Sequence, residues 1–168
     1  TAMAIHTLWL AARVRNLARL TLRGRPTVGA TPCDVVHAER SWRLLRYRAS
    51  GGSAGERMAP ERETPELVHR TPVLMVPSLI NRHYVLDLLP GKSFIEYMVS
   101  VGHDVYCIEW GQPADEDRYL TFDDVCDRYL GRALRTASSA GPSGKAHVLG
   151  YCLGGTLLTI AAAAMGRD

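Results

Sequence analysis

The sequence predicts an α/β fold: a parallel sheet with helices crossing between its strands. Three observations carry that prediction. A short apolar run at 72–76 and strand patterns at 104–110 and 145–149 alternate with stretches of helical periodicity. Glycine and proline punctuate the boundaries, as at Gly102, Gly111 and Gly141-Pro142. The chain has 168 residues, 46% hydrophobic and 22% charged, which suits one domain with an ordinary core. That composition excludes a disordered tail, a collagen-like repeat and a coiled coil. The longest nearly apolar run, Leu157 to Met165, is far short of the roughly 20 residues that span a bilayer.

Residues 1–40 read as an N-terminal helical and irregular segment, and residues 41–168 as the segment of regular strand and helix patterns. Within the first, residues 3–22 have helical periodicity, with Met3, Leu10, Val14 and Leu17 on one side and most arginines on the other. Such a helix either packs on its own domain or lies on a lipid or polymer surface. An Arg-rich transit segment fits less well, because serine is scarce there. Ser41 to Arg48 reads as a strand, with Leu45 and Tyr47 on one face. Ala49 to Glu66, rich in Gly, Ser, Pro and charge, reads as a surface loop.

Pro72 to Val76 is expected to be a strand buried on both faces. Pro77 to Pro90 follows as a loop containing Asn81 and Asp87. Ser93 to Val101 reads as a helix that Gly102 ends. Asp104 to Trp110 is the next strand, stopped by Gly111 and Pro113. Thr121, with Asp124 three positions on, is an acidic variant of the capping box and opens a helix reaching about Ser138. Lys145 to Leu149 is the third strand and Gly154 to Met165 the last helix. Strand, helix, strand, helix, strand, helix requires a parallel sheet with right-handed crossovers.

Net charge is +3, but residues 1–30 hold five arginines and no acid, so the rest of the chain carries a net −2. A general nucleic-acid-binding surface is not indicated. The four cysteines, Cys33, Cys107, Cys126 and Cys152, have no paired spacing, which argues against a metal knuckle or a dense disulfide framework and fits a reducing cytoplasm. Cys107 alternates into a strand core, Cys126 lies within a helix and Cys33 in a loop. His147 reads as a packed strand residue, and Asp123, Asp124 and Asp127 as a solvated helix start. No metal-ligand spacing is present.

Chemistry concentrates at Gly150-Tyr151-Cys152-Leu153-Gly154-Gly155, of the form G-x-C-x-G-G between a buried strand and a helix. That is the setting of a nucleophile elbow, with Cys in place of Ser. A turn this sharp strains the backbone at Cys152 and leaves no room for a Cβ at Gly150 or Gly154. The sulfur would stand above the carboxyl edge of the sheet, at a helix N-terminus whose dipole favours an anion. The Leu153 backbone N–H would point to where an oxyanion forms. A second donor is expected from the loop after the Val73–Val76 strand, at Leu79.

Together with these residues, several others resemble the polyhydroxyalkanoate synthases. They are Val76-Pro77-Ser78-Leu79-Ile80-Asn81-Arg82, Tyr84-Val85-Leu86-Asp87-Leu88, Gly102-His103-Asp104-Val105-Tyr106, Glu109-Trp110-Gly111-Gln112-Pro113 and Thr121-Phe122-Asp123-Asp124. The resemblance covers about residues 72 to 165 in order. The short lead before the core is similar to the shorter, two-subunit type.

The resemblance implies an α/β-hydrolase-type parallel sheet with crossover helices, C-terminally truncated, and a Cys-His-Asp triad. It implies that Cys152 takes an (R)-3-hydroxyacyl group from coenzyme A as a thioester, which a chain hydroxyl then attacks to extend a polyester. Thioester exchange is nearly isoenergetic, so the captured acyl group stays activated. Exclusion of water favours growth over hydrolysis. The expected partners are hydroxyacyl-CoA and the growing polyester, with a homodimer, a second synthase subunit and a granule or membrane surface. The expected setting is the cytoplasm, on polyester granules. No bound cofactor is implied beyond coenzyme A as part of the substrate.

In such folds the acid and the histidine follow the nucleophile. Only 16 residues follow Cys152 here, with no His and one acid, Asp168. The first residue is Thr, and the chain stops directly after a helical apolar run. The sequence therefore reads as an N-terminal fragment, with an unpaired sheet edge and no turnover by itself. Two other functions compete: a Cys-nucleophile α/β hydrolase cleaving thioesters or lactones, and a non-catalytic module bound to a granule or membrane surface through the arginine-rich helix.

Overall fold

The computed structural model describes residues 27–47 and 67–166. The helix expected at 3–22 and the loop expected at 49–66 lie outside the described residues. One five-stranded sheet has the order β1-β2-β4-β3-β5. Strands β1 (Asp34–Glu39) and β2 (Trp42–Tyr47) form a hairpin, with Arg40 at φ 52° in a two-residue turn. β2 runs antiparallel to β4 (His103–Glu109). β3 (His69–Val76) is parallel to both β4 and β5 (His147–Gly150).

The strand–helix alternation thus yields the parallel half, β4-β3-β5, and the hairpin adds an antiparallel half. The sheet is mixed rather than wholly parallel because a turn of two residues can only reverse the chain. It also begins earlier than expected, since β1 falls inside the segment read as helical and irregular. Its sequence, Asp-Val-Val-His-Ala-Glu, hides the strand: adjacent Val35 and Val36 are both exposed, so no alternation is visible.

Helices cover both faces. Helix α1 (Phe94–Ser100) starts at Ser93, whose hydroxyl accepts from the Glu96 N–H at 2.9 Å. With Leu86 it covers Leu45, Tyr47, Val73, Met75, Val105 and Cys107. On the opposite face, Leu44, Leu74, Val76, Tyr106 and Ile108 meet a longer helical segment and α3 (Leu153–Met165). Strand residues of one parity face one layer and those of the other parity the second. Each fully buried Leu, Val or Ile contributes about 1.5–3 kcal/mol to this α/β/α sandwich.

The longer helical segment opens with the expected box. Thr121 donates its N–H to Asp124 Oδ2 at 3.0 Å, and Asp124 returns its N–H to Thr121 Oγ1 at 3.2 Å. A π-helical turn, Asp124–Leu130, then precedes α2 (Gly131–Ala140), where a single regular helix was expected. Arg128 on that turn donates to Glu39 from Nε at 3.0 Å and Nη2 at 2.7 Å, fastening it to β1. Asp123 and Asp127 are exposed, as a solvated helix start requires.

β5 is an edge of the sheet among the described residues. His147, expected to be packed, is exposed at the first position of that strand.

Candidate active site

β3 and β5 lie side by side, with Val76 opposite Gly150, so the chain leaves both strands at one place on the carboxyl edge. The pairing continues past β5, where the Tyr151 N–H donates to the Val76 carbonyl at 2.9 Å. The next residue, Cys152, has φ 56° and ψ −129° and is the N-cap of α3. A non-glycine residue at positive φ costs about 1–3 kcal/mol and persists only where its surroundings hold it. Here the helix begins at once: Gly154 and Gly155 donate backwards to the carbonyls of Tyr151 and Cys152 at 3.0 and 2.9 Å.

The flanking glycines are required by contact. A Cβ on Gly154 would lie 2.0 Å from the Val76 carbonyl oxygen and 2.6 Å from that of Pro77. A Cβ on Gly150 would lie 2.4 Å from the Gly155 Cα. Gly155, grouped with them from the sequence, is different: its own Cβ would meet only the Gly150 carbonyl, the oxygen at 3.4 Å and the carbon at 3.7 Å, both ordinary contacts.

The Cys152 side chain is exposed, as is Cys33, whereas Cys107 and Cys126 are buried. Burial pushes the Cys107 thiol well above its usual range, and burial aided by Asp127 and Asp123 raises Cys126. Cys33, though exposed as a residue, is also raised by partial desolvation of its thiol, against a hydrogen bond with Tyr47.

Leu153 is the first residue of α3, so its N–H is one of the helix's unpaired donors. Leu79 lies in the loop that leaves β3 beside the Cys152 turn. That loop is held at its root, where the Trp110 indole donates from Nε1 to the Pro77 carbonyl at 2.8 Å. Ser78 is fully buried, and its Oγ accepts from the Ile80 N–H at 3.1 Å, a turn closing around Leu79. Leu79 and Ile80 are themselves exposed, which gives the carboxyl edge an apolar rim.

One pairing has no trace in the sequence. His83 Nδ1 lies 3.2 Å from Glu109 Oε1, while Arg43 takes the other carboxylate oxygen at 2.6 Å. Burial holds His83 below its usual value, with the Glu109 charge opposing. A second pair, His69 and His103, stacks at 3.9 Å at the amino edge, away from the elbow. The structure therefore gathers Gly150, Cys152, Leu153, Gly154, Gly155 and the root of the Leu79 loop at one edge, and places His147 at the start of β5, remote from them.

A family model described as Poly-beta-hydroxybutyrate polymerase (PhaC) N-terminus matches residues 23–98, which includes Leu79 but not Cys152. The chain is similar to the poly(3-hydroxyalkanoate) polymerase subunit PhaC of Haloarcula marismortui, 37% identical over 139 residues, covering 83% of this chain and 28% of the relative. The protein of that name from Haloferax mediterranei is 36% identical over 82% of this chain and 25% of its own length. That from Cupriavidus necator is 30% identical over 93% of this chain and 26% of its own. The chain thus spans about a quarter of the length of these curated relatives.

Proposed function

This chain belongs to the poly(3-hydroxyalkanoate) polymerase family, and on that premise we propose that Cys152 is the acyl-accepting nucleophile of an acyltransferase that polymerises (R)-3-hydroxyacyl-CoA. The observation that carries the reading is the backbone of Cys152, strained at φ 56° with its thiol exposed at the start of α3. In the first step the base takes the Cys152 thiol proton, the sulfur bonds to the acyl carbon, the acyl bond to coenzyme A breaks, and the same proton passes to the leaving coenzyme A sulfur. The oxyanion formed on the way accepts from the N–H groups of Leu153 and Leu79. In the second step a hydroxyl oxygen bonds to an acyl carbon, the acyl–sulfur bond breaks, and a base takes the hydroxyl proton.

The chain's part in this scheme is the nucleophile and the oxyanion donors. The histidine base and its orienting acid come from outside residues 1–168. Coenzyme A enters as part of the substrate, with no separate cofactor. The enzyme works in the cytoplasm at the surface of the polyester granule, as a homodimer with a second synthase subunit.

The test is direct. In the full-length gene product, Cys152→Ala abolishes the covalent acyl-enzyme, whereas Cys107→Ala and Cys126→Ala retain it. Full activity in Cys152→Ala would refute the assignment. The exposure of Cys152 favours one second reading, a thioester or lactone hydrolase, since water reaches the sulfur as easily as a hydroxyl does. Free hydroxy acid rather than sedimenting polyester would select it.

A further inference from the structure

We propose that Trp110 is a positioning residue for the oxyanion site, holding the Leu79 N–H in place through the carbonyl of Pro77. The inference rests on the reading of Cys152 and Leu79 given above and adds a residue to it.

The Pro77 ring fixes φ, so ψ is the one soft backbone angle left at that residue. Rotation about ψ swings the Pro77 carbonyl and the next peptide together, and with them the direction in which the chain sets out toward Leu79. The indole of Trp110 binds that carbonyl at 2.8 Å and so fixes the angle. One residue on, the buried Ser78 closes its turn on the Ile80 N–H. Leu79 is thereby held from both sides, and the upstream hold is the indole.

The same carbonyl is also a wall of the elbow. The Pro77 oxygen lies 2.6 Å from where a Cβ on Gly154 would be, so α3 starts directly against it. The two expected donors are on different segments, Leu153 on α3 and Leu79 on the β3 loop. The Pro77 carbonyl is where those segments touch, and Trp110 reaches it from the end of β4. The ring packs, partly buried, against the cluster containing Val76, Ile108 and Leu157, which aims its N–H. A packing ring alone would not need the nitrogen, and that difference is testable.

The experiment uses the full-length gene product with Trp110→Phe and with Trp110 replaced by benzothienylalanine, which keeps the bicyclic shape and removes only the N–H. Two rates at Cys152 are compared: acylation by (R)-3-hydroxybutyryl-CoA, which passes through an oxyanion, and alkylation by iodoacetamide, which does not. Misplacing a reacting group by about an ångström costs up to roughly 100-fold. Acylation is therefore expected to fall by about 10- to 100-fold in both variants, in kcat rather than KM, with alkylation within about twofold of the parent.

Acylation at the parent rate in the benzothienylalanine protein would overturn the proposal. So would an equal fall in both rates, which would mean that the thiol itself had been disturbed. If Trp110→Phe does not fold, the benzothienylalanine protein decides alone. Cys152→Ala run alongside separates the two claims: acylation persisting there removes the nucleophile, and the Trp110 inference with it. No acylation there together with parent rates at Trp110 removes only the positioning role.

Discussion

Thr31 grips Asp87 through both carboxylate oxygens, its N–H donating to Oδ2 at 3.0 Å and its hydroxyl to Oδ1 at 2.7 Å. Asp87 is 1% exposed and also takes the Gly29 N–H on its backbone carbonyl at 2.8 Å. The segment before β1 is thereby fastened to the far end of the loop that leaves β3.

Thr31→Val keeps the shape and deletes one donor to a buried carboxylate. Hydrogen bonds to charged groups contribute about 1.5–3 kcal/mol. A loss in that range is expected in chemical denaturation, and Thr31→Ser should recover most of it. An unchanged midpoint in Thr31→Val would show that the grip is dispensable.

The glycines of the Cys152 turn should separate cleanly. Gly154→Ala would press a methyl group into the Val76 and Pro77 carbonyls, so loss of the folded turn is expected, at about 3 kcal/mol or more. Gly155→Ala has ordinary clearance and sits in a helix, where alanine is favoured over glycine by about 0.5–1 kcal/mol. It should be neutral or stabilising by thermal melting. Equal damage from the two substitutions would contradict the contact argument.

Stability should weaken as pH falls through the histidine range. His83 is held below its ordinary 6.5 by burial, opposed by Glu109 and Asp87 and reinforced by Arg43 and Arg82. His103 is lowered by burial and by its neighbours His69 and His147. A depressed folded value means that the unfolded chain binds the proton first. The contribution is therefore fully present above about pH 6.5 and is lost as pH falls below it. The two sites occupy opposite ends of β4, so their effects should add. The melting temperature is expected to drop between pH 6.5 and 5, and His83→Gln with His103→Gln to flatten that drop. An unaltered slope in the double variant would exclude these two groups as its source.

The legible parts of this fold are those whose signal is local. Pro72 to Val76 and Val105 to Ile108 announce themselves by continuous apolar residues, and Gly150, Cys152 and Gly154 by a spacing that a strained turn imposes. β1 escapes because its two valines are adjacent and exposed, leaving no period of two. The π turn at Asp124–Leu130 has the composition of an ordinary helix, and only the hydrogen-bond register distinguishes it. His83 meets Glu109, and Trp110 meets Pro77, across strands that are distant in the chain. In sequence Trp110 is merely the last apolar residue of a strand.

The sheet's connectivity also sets the order in which its parts come together. β1 and β2 close across two residues, but β3 meets β5 only when Val73 finds His147. The entropy of closing a chain grows with the length of the loop, so the hairpin forms early and the β3–β5 seam late. The turn at Cys152 is anchored on that seam, through Tyr151 on Val76. The strained thiol is therefore created by a contact between strands distant in the chain, and the local sequence around the cysteine does not make it alone.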